Sequence, residues 1–335
     1  PLCEQLTFSA QPLFADAFNS DHLKTQLLAN SPEGQYFVSS GMLKRGWISE
    51  TPFYKTIALL NEIRSIDCDD QVKNVLKLAL VAILVETVGN VSFGPEIYVS
   101  GRKEDVDVLG TFRNRMETII SDLETVQTLP ARGHSLVLPG DARECAKILI
   151  ENEITSIDYV ITSPPYPTEK DYTRQTRLEL VFLGFVYDRQ SLQRVKRAMV
   201  RSHSKGIYKA DDDGQWVADI PEVRAIADEL RIKIKDKTYG FAKLYPRIIE
   251  EYFGGMHRHL QSLKKALRVG GQCAYVVGDQ RTYLQTYTPT GKILGIIAER
   301  LGFVVEDALV WRVRKGTTGS GEEIKEEIVI LRKPQ

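Results

Sequence analysis

Five consecutive residues, Thr162-Ser163-Pro164-Pro165-Tyr166, concentrate the chemistry of this chain. They follow a short apolar run, Ile157-Asp158-Tyr159-Val160-Ile161, that reads as a buried strand. Two successive prolines donate no backbone hydrogen bond, so the strand must stop there. The chain then leaves the sheet rigid and extended, with its carbonyls turned outward. A hydroxyl precedes the prolines and an aromatic ring follows them. Such a run can hold a flat molecule that bears an amino group. The Ser163 side chain and the Pro164 carbonyl can accept hydrogen bonds from an exocyclic NH2, and the Tyr166 ring can stack on a base. Most Pro-Pro pairs do no more than end a strand. The carboxyl end of a strand is nevertheless where open α/β sheets bind ligands, and this placement favours function.

The same residues resemble the catalytic loop of amino-methylating DNA methyltransferases, which move a methyl group from S-adenosylmethionine to a base nitrogen. In that family Ser before the prolines is commonest in N4-cytosine enzymes, and Asp or Asn in N6-adenine enzymes. Pro167 to Glu179, PTEKDYTRQTRLE, resembles the helix start that follows this loop in one bacterial branch. Gly140-Asp141-Ala142-Arg143 resembles the loop that approaches the cofactor adenine, and Leu267 to Gln280, LRVGGQCAYVVGDQ, the next core strand. The similarity is specific from about Ser135 to Leu331 and weaker before. It implies catalytic roles for Ser163, Pro164, Pro165 and Tyr166. It also implies contacts to S-adenosylmethionine or its pocket for Asp141, Ala142, Thr162 and Asp279. As residues alone, Asp141 after a glycine equally reads as a turn former.

Base methylation requires the target base to leave the duplex and enter a pocket. Hydrogen bonds to Ser163 and Pro164 would also direct the amino lone pair toward the methyl donor, so the contribution is mainly orientation. No metal and no covalent nucleophile is needed for this.

One family feature has no counterpart in the sequence. A glycine-rich loop, typically Asp-Pro-Phe-x-Gly-x-Gly-Thr, wraps the methionine end of the cofactor in that family. Gly291 to Gly295 falls within a helical pattern with no strand before it. In the branch resembled, the loop would precede Pro1. It would then lie on a companion polypeptide, have been removed, or have been lost from a remnant that binds DNA without methylating it. The leading expectation is a restriction-associated or orphan DNA amino-methyltransferase, with cytosine N4 favoured over adenine N6. The alternative is a non-catalytic DNA-binding subunit or inactive remnant. The long insert and the family branch weigh against an RNA methyltransferase. A companion chain, self-association, or a helix from residues 1–125 is expected at the open strand edge.

The elements that must position the motif come in two parts. Residues 1–130 read as a mainly helical region, with helices over Phe53 to Ile66, Asp70 to Glu86 and Val106 to Val126, and with Asn90 to Tyr98 as a loop. Residues 131–335 read as the methyltransferase core. Its expected strands are Ser135 to Leu138, Ile157 to Ile161, Gln272 to Val277, Phe303 to Arg314 and Glu326 to Arg332. Its expected helices are Arg143 to Asn152, Leu178 to Phe185, Pro221 to Lys235, Pro246 to Leu267 and Thr290 to Leu301. Alternating strands and helices imply an α/β fold with a parallel sheet covered on both faces. The last two strands, joined by a Gly/Thr/Ser-rich link, should pair antiparallel. The class expected is the Rossmann-like class I methyltransferase sheet lacking its first strands. The insert at about 189–244 is too long for a plain connection and is the expected place for target recognition. Gly254-Gly255 inside a helix requires close packing or a kink.

Composition is that of a soluble globular protein: 335 residues, 43% apolar and 26% charged. The longest apolar stretch, Leu78 to Val85, is too short to span a bilayer, and no signal segment opens the chain. Cys3, Cys68, Cys145 and Cys273 form no paired metal or disulfide spacing, which suits a reducing cytoplasm. His257 and His259, two apart, face different directions on a helix and read as surface or structural residues and not as ligands. Net charge is zero, with 44 basic and 44 acidic residues, which weighs mildly against nucleic acid. The distribution runs the other way. Between Glu169 and Lys209 there are ten basic residues and four acidic ones. Lys170, Arg174, Arg177, Arg194, Lys196 and Arg197 are the candidates for DNA phosphates, against the plainer reading of a solvated helix face.

Overall fold

The computed structural model describes residues 20–94, 96–130, 133–168, 170–237, 240–281, 285–315 and 323–335. Cys3, Glu169 and the link at 316–322 lie outside the described residues. In chain order the elements begin with α1 (Asp21–Ala29), α2 (Pro32–Ser39), α3 (Glu50–Ser65) and α4 (Asp70–Ile83). Strands β1 (Val91–Phe93) and β2 (Ile97–Val99), then α5 (Val108–Gln127), α6 (Cys145–Glu151) and β3 (Ile157–Thr162), follow. Next come α7 (Tyr172–Gln175), α8 (Arg177–Phe182), α9 (Arg189–Arg197), α10 (Pro221–Lys233) and α11 (Tyr245–Ala266). The chain finishes with β4 (Leu267–Gly278), β5 (Gln280–Arg281), β6 (Tyr287–Thr288), α12 (Thr290–Arg300), β7 (Val304–Lys315) and β8 (Glu323–Arg332). No helix of the described residues is long and apolar enough to cross a membrane.

The chain divides into two compact units. The first spans residues up to Ser135 together with Tyr172–Val195, and the second Leu136–Asp171 together with Lys196–Gln335. The helices that follow the Pro-Pro motif therefore belong with the N-terminal helices. The first unit is helical because its apolar residues recur at helical spacing and meet in one core. Phe37 of α2 stacks on Phe53 of α3 at 5.0 Å and meets Phe182 of α8 at 5.7 Å. Leu178, Val181 and Phe182 are all buried in that core. Burying a Phe side chain stabilises by about 2–3 kcal/mol, which is why α8 is retained here. Asn90 ties the loops together: its amide donates to the Gly46 carbonyl and the Ser49 hydroxyl, and its oxygen accepts from the Lys103 N–H. The expected loop at Asn90 to Tyr98 is instead a hairpin, with Val91 paired to Val99 and Phe93 to Ile97. Val91 and Ile97 are buried, and this packing favours strands.

The second unit holds a four-stranded mixed sheet in the order β3-β4-β8-β7. β3 and β4 run parallel, with Thr162 opposite Tyr275. β8 is antiparallel to both β4 and β7, so the expected hairpin is present. Cys273, Tyr275, Val277, Val329 and Leu331 bury one sheet face with Ile293, Leu294 and Ile297 of α12. On the other face, Tyr159 and Ile161 are 64% and 84% exposed. The expected strand at Ser135 to Leu138 does not form. Leu136 and Val137 are 56% and 91% exposed, and no described strand lies beside them to complete a ladder. A single parallel pair therefore replaces the longer parallel run expected. The helix at α9 arises within the polar insert because it is capped reciprocally. The Ser191 N–H donates to the Asp188 carboxylate at 2.6 Å, and the Asp188 N–H donates to the Ser191 hydroxyl at 3.0 Å.

Candidate functional site

Thr162 ends β3, and Ser163 to Tyr166 continue without strand or helix geometry, as two prolines require. Ser163 is exposed and Tyr166 half-buried. The chain turns at Pro167 and Thr168, where Thr168 adopts a positive φ of 63°. Tyr166 crosses to the neighbouring strand and lies over Gly278 at the end of β4. A Cβ on Gly278 would stand 2.7 Å from the Tyr166 Cε2, so only glycine leaves room for the ring. The Arg314 guanidinium sits 5.5 Å from the centroid of the same ring.

Register explains what surrounds the ring. Gly278 pairs with Glu326, and Glu326 with Arg312, so three strands present these residues in one row. Glu326 is buried, and ion-pairs with Arg314 Nε at 3.1 Å and with Arg312. Arg314 Nη2 also donates to the Asp279 carbonyl at 3.5 Å.

Asp279 is buried, and its carboxylate is engaged at the start of α12. It accepts from the Thr290 N–H at 2.9 Å and from the Tyr287 hydroxyl. A carboxylate there complements the unpaired N–H groups of the helix N-terminus. Burial, followed by the Asp279 hydrogen bond and charge, raises the Tyr287 phenol well above its ordinary range.

Asp141 stands before the 3-10 turn Ala142–Glu144. Its carboxylate accepts from the Arg143 N–H at 2.9 Å, from Nε at 3.0 Å and from Nη2 at 2.6 Å. Arg143 also reaches the buried Asp213 at 2.6 Å and the Arg197 carbonyl at 2.7 Å. Ala142 is exposed, and its carbonyl lies 2.8 Å from His259 Nδ1. Because a carbonyl only accepts, Nδ1 carries the proton. Nε2 then accepts from the Tyr275 hydroxyl at 2.8 Å. Tyr275 is the strand partner of Thr162, so His259 links the Asp141 turn to the strand that bears the motif.

The basic candidates divide by environment. Arg174 pairs with Glu96, and Lys196 with Asp171 at 3.2 Å in a poorly exposed site. Arg177 Nε donates to the Thr173 carbonyl at 2.8 Å. Arg194 and Arg197 are exposed at i,i+3 spacing on α9, and Lys170 is half-buried. The Arg197 guanidinium lies 5.2 Å from the Tyr208 ring centroid.

The strand-end motif and Asp279 meet through Gly278, whereas Asp141 and Ala142 connect to Thr162 through His259 and Tyr275. Gly278, Arg314 and Glu326 escaped the sequence reading. Only strand register places them beside Tyr166, and the one local signal was a glycine ending an apolar strand.

No family model matches the chain. It is similar to the type II methyltransferase M.AvaI of Nostoc sp. strain PCC 7120 and to that of Anabaena variabilis. Each is 30% identical over 200 residues, which is 57% of this chain and 41% of the relative. The match thus spans less than half the length of those relatives. A proposed DNA modification methylase of Thermus thermophilus aligns with a TM-score of 0.27, at 20% identity. That alignment covers 58% of this chain and 52% of the other.

Proposed function

We propose that this chain supplies the catalytic loop and base pocket of a DNA amino-methyltransferase. The reaction is methyl transfer from S-adenosylmethionine to the exocyclic amino group of a flipped-out base, with cytosine N4 favoured over adenine N6. The observation that carries the proposal is Thr162–Tyr166 at the carboxyl end of β3, with Tyr166 laid over the glycine that ends β4. The sequence similarity to a type II methyltransferase supports it.

In this reading the exposed Ser163 hydroxyl and the Pro164 carbonyl accept hydrogen bonds from the amino group, and the Tyr166 ring stacks on the base. Two acceptors fix the amino lone pair toward the donor, and stacking on Tyr166 compensates the base for the stack it leaves. The described residues fit this base side better than the donor side. The Asp141 and Asp279 carboxylates, both candidates for the cofactor, already receive hydrogen bonds from Arg143 and from Tyr287 and Thr290. β3 is the outer strand of its sheet among the described residues, and this open edge favours a further strand there, carried by a companion segment together with the glycine-rich loop.

The test is transfer of a labelled methyl group to unmethylated DNA amplified from a genome, with such a polypeptide added. Ser163→Ala and Tyr166→Ala should each lower the rate by roughly 10²-fold or more, since they remove orientation. The melting temperature should stay nearly unchanged. Wild-type rates in either variant would refute the assignment. Mass spectrometry of the digested product decides between N4-methylcytosine and N6-methyladenine.

A further inference from the structure

We infer that Arg314, held by the buried Glu326, is the positioning residue of Tyr166, with Gly278 as its seat. The inference rests on the catalytic reading of Tyr166 and extends it to β7 and β8, which the motif itself does not contain.

A tyrosine in a loop after two prolines needs more than the prolines to fix its ring. Here three separate strands constrain it. β4 offers a flat floor, because a Cβ at Gly278 would meet the ring at 2.7 Å. β7 places the Arg314 guanidinium 5.5 Å from the ring centroid, within reach of a cation–π attraction. β8 holds that guanidinium through Glu326, 3.1 Å from Arg314 Nε, and the Asp279 carbonyl accepts from its Nη2. A buried carboxylate is costly unless paired, so Glu326 commits the arginines beside it to this place. Arg312, the cross-strand partner of Glu326, is far more exposed and serves as the outer half of the pair. Arginine suits Arg314 better than lysine because a planar fork can lie near a ring and still donate along its edge. Arg314 acts on the base only through Tyr166. It sets the plane on which the base would stack, and so the angle at which the amino group is presented.

The test reads the ring directly. 3-Fluorotyrosine is incorporated at Tyr166 of the full chain, and its fluorine resonance is followed by NMR. Arg314→Met and Glu326→Gln should each move the resonance toward that of free 3-fluorotyrosine, and Arg314→Lys should fall between. Gly278→Ala should move it as well, by lifting the ring. Thermal unfolding run in parallel identifies any variant that fails to fold. An unmoved resonance in folded Arg314→Met, or in Arg314→Lys and Glu326→Gln together, overturns the inference. The outcome is separable from the catalytic reading. If Tyr166→Ala still transfers methyl groups, that reading falls, while the fluorine shift continues to report whether Arg314 places the ring.

Discussion

Gly254, within α11, lies directly against the backbone of Asp213: a Cβ at Gly254 would stand 1.9 Å from the Asp213 carbonyl oxygen. The glycine pair inside the helix is therefore used for close packing. This approach fixes Asp213, whose carboxylate receives Arg143 and Arg258 at 2.6 Å each. Asp213 in turn shares Arg143 with the Asp141 turn.

Gly254→Ala should destabilise the protein by about 2–3 kcal/mol, because the atom it meets is backbone and cannot rotate away. Gly255→Ala is the internal control. Its Cβ would meet the Val200 Cγ1 at 3.2 Å and the Asp213 Oδ2 at 3.4 Å. Those side chains can adjust, and alanine gains up to about 1 kcal/mol in helix propensity. Urea unfolding of both variants should show a clear loss in the first and a change within about 1 kcal/mol in the second.

His259 makes stability depend on pH in a stated direction. Burial outweighs the Ala142 hydrogen bond and holds its pKa below the ordinary 6.5. Below that value the unfolded chain binds more protons than the folded one, so stability from this group is present at neutral pH and is lost as pH falls. Protonating Nε2 would also destroy the acceptor that Tyr275 uses. His259→Gln should lower the melting temperature at pH 7.5, where a buried hydrogen bond is lost at about 1–2 kcal/mol. It should also flatten the decline between pH 7 and pH 5.5. An equal decline in both proteins would assign the acid sensitivity elsewhere.

The basic run should be tested at Lys170, Arg194 and Arg197 and not at Lys196, whose pair with Asp171 is largely shielded. Reversing those three to Glu should weaken DNA binding across all sequences. It should also reduce the slope of log affinity against log salt by roughly one per lost phosphate contact. Lys196→Glu should instead lower the melting temperature. An unchanged salt slope in the triple variant would mark α9 as a solvated face.

Calorimetric titration addresses the donor side. The chain alone should bind S-adenosylmethionine weakly or not at all, because its sequence has no counterpart of the glycine-rich loop and β3 has an open edge. Adding a polypeptide with the missing strand and glycine-rich loop should restore binding. Micromolar affinity of the chain by itself would overturn the companion segment.

Helices α3, α4, α5 and α8 of the first unit were legible because burial enforces a 3.6-residue period, whereas the shorter α1, α2 and α7 were not singled out. β3 was legible because prolines bound it. β4 is longer than the Gln272 to Val277 expected. Residues Leu267–Gly271 carry two glycines and an arginine, and only pairing extends the strand through them. Leu136 and Val137 misled in the opposite sense, since an apolar pair reads as a strand whether or not a neighbour is present to bond it. α9 was hidden because RQSLQRVKR is almost wholly polar, and its cap depends on Asp188 and Ser191 meeting three residues apart. At the site, the motif was local and visible, whereas Gly278, Glu326 and Arg314 come together only through cross-strand register.

The order in which the chain emerges from a ribosome acquires a meaning from the way the units share it. The first unit needs Leu178, Val181 and Phe182 for its core, so synthesis must run through β3 and beyond before that unit is complete. β3 itself waits for β4, whose first residue lies more than a hundred positions downstream. The first unit can therefore close once Val195 has emerged, whereas the second waits for β4, and a gene split at residue 135 would leave the first with an open core. The same interleaving leaves α7 and α8 joined to the first unit's other helices only by way of the motif's strand and loop, so a cut between Asp171 and Tyr172 would part them in the chain while leaving the motif on its strand.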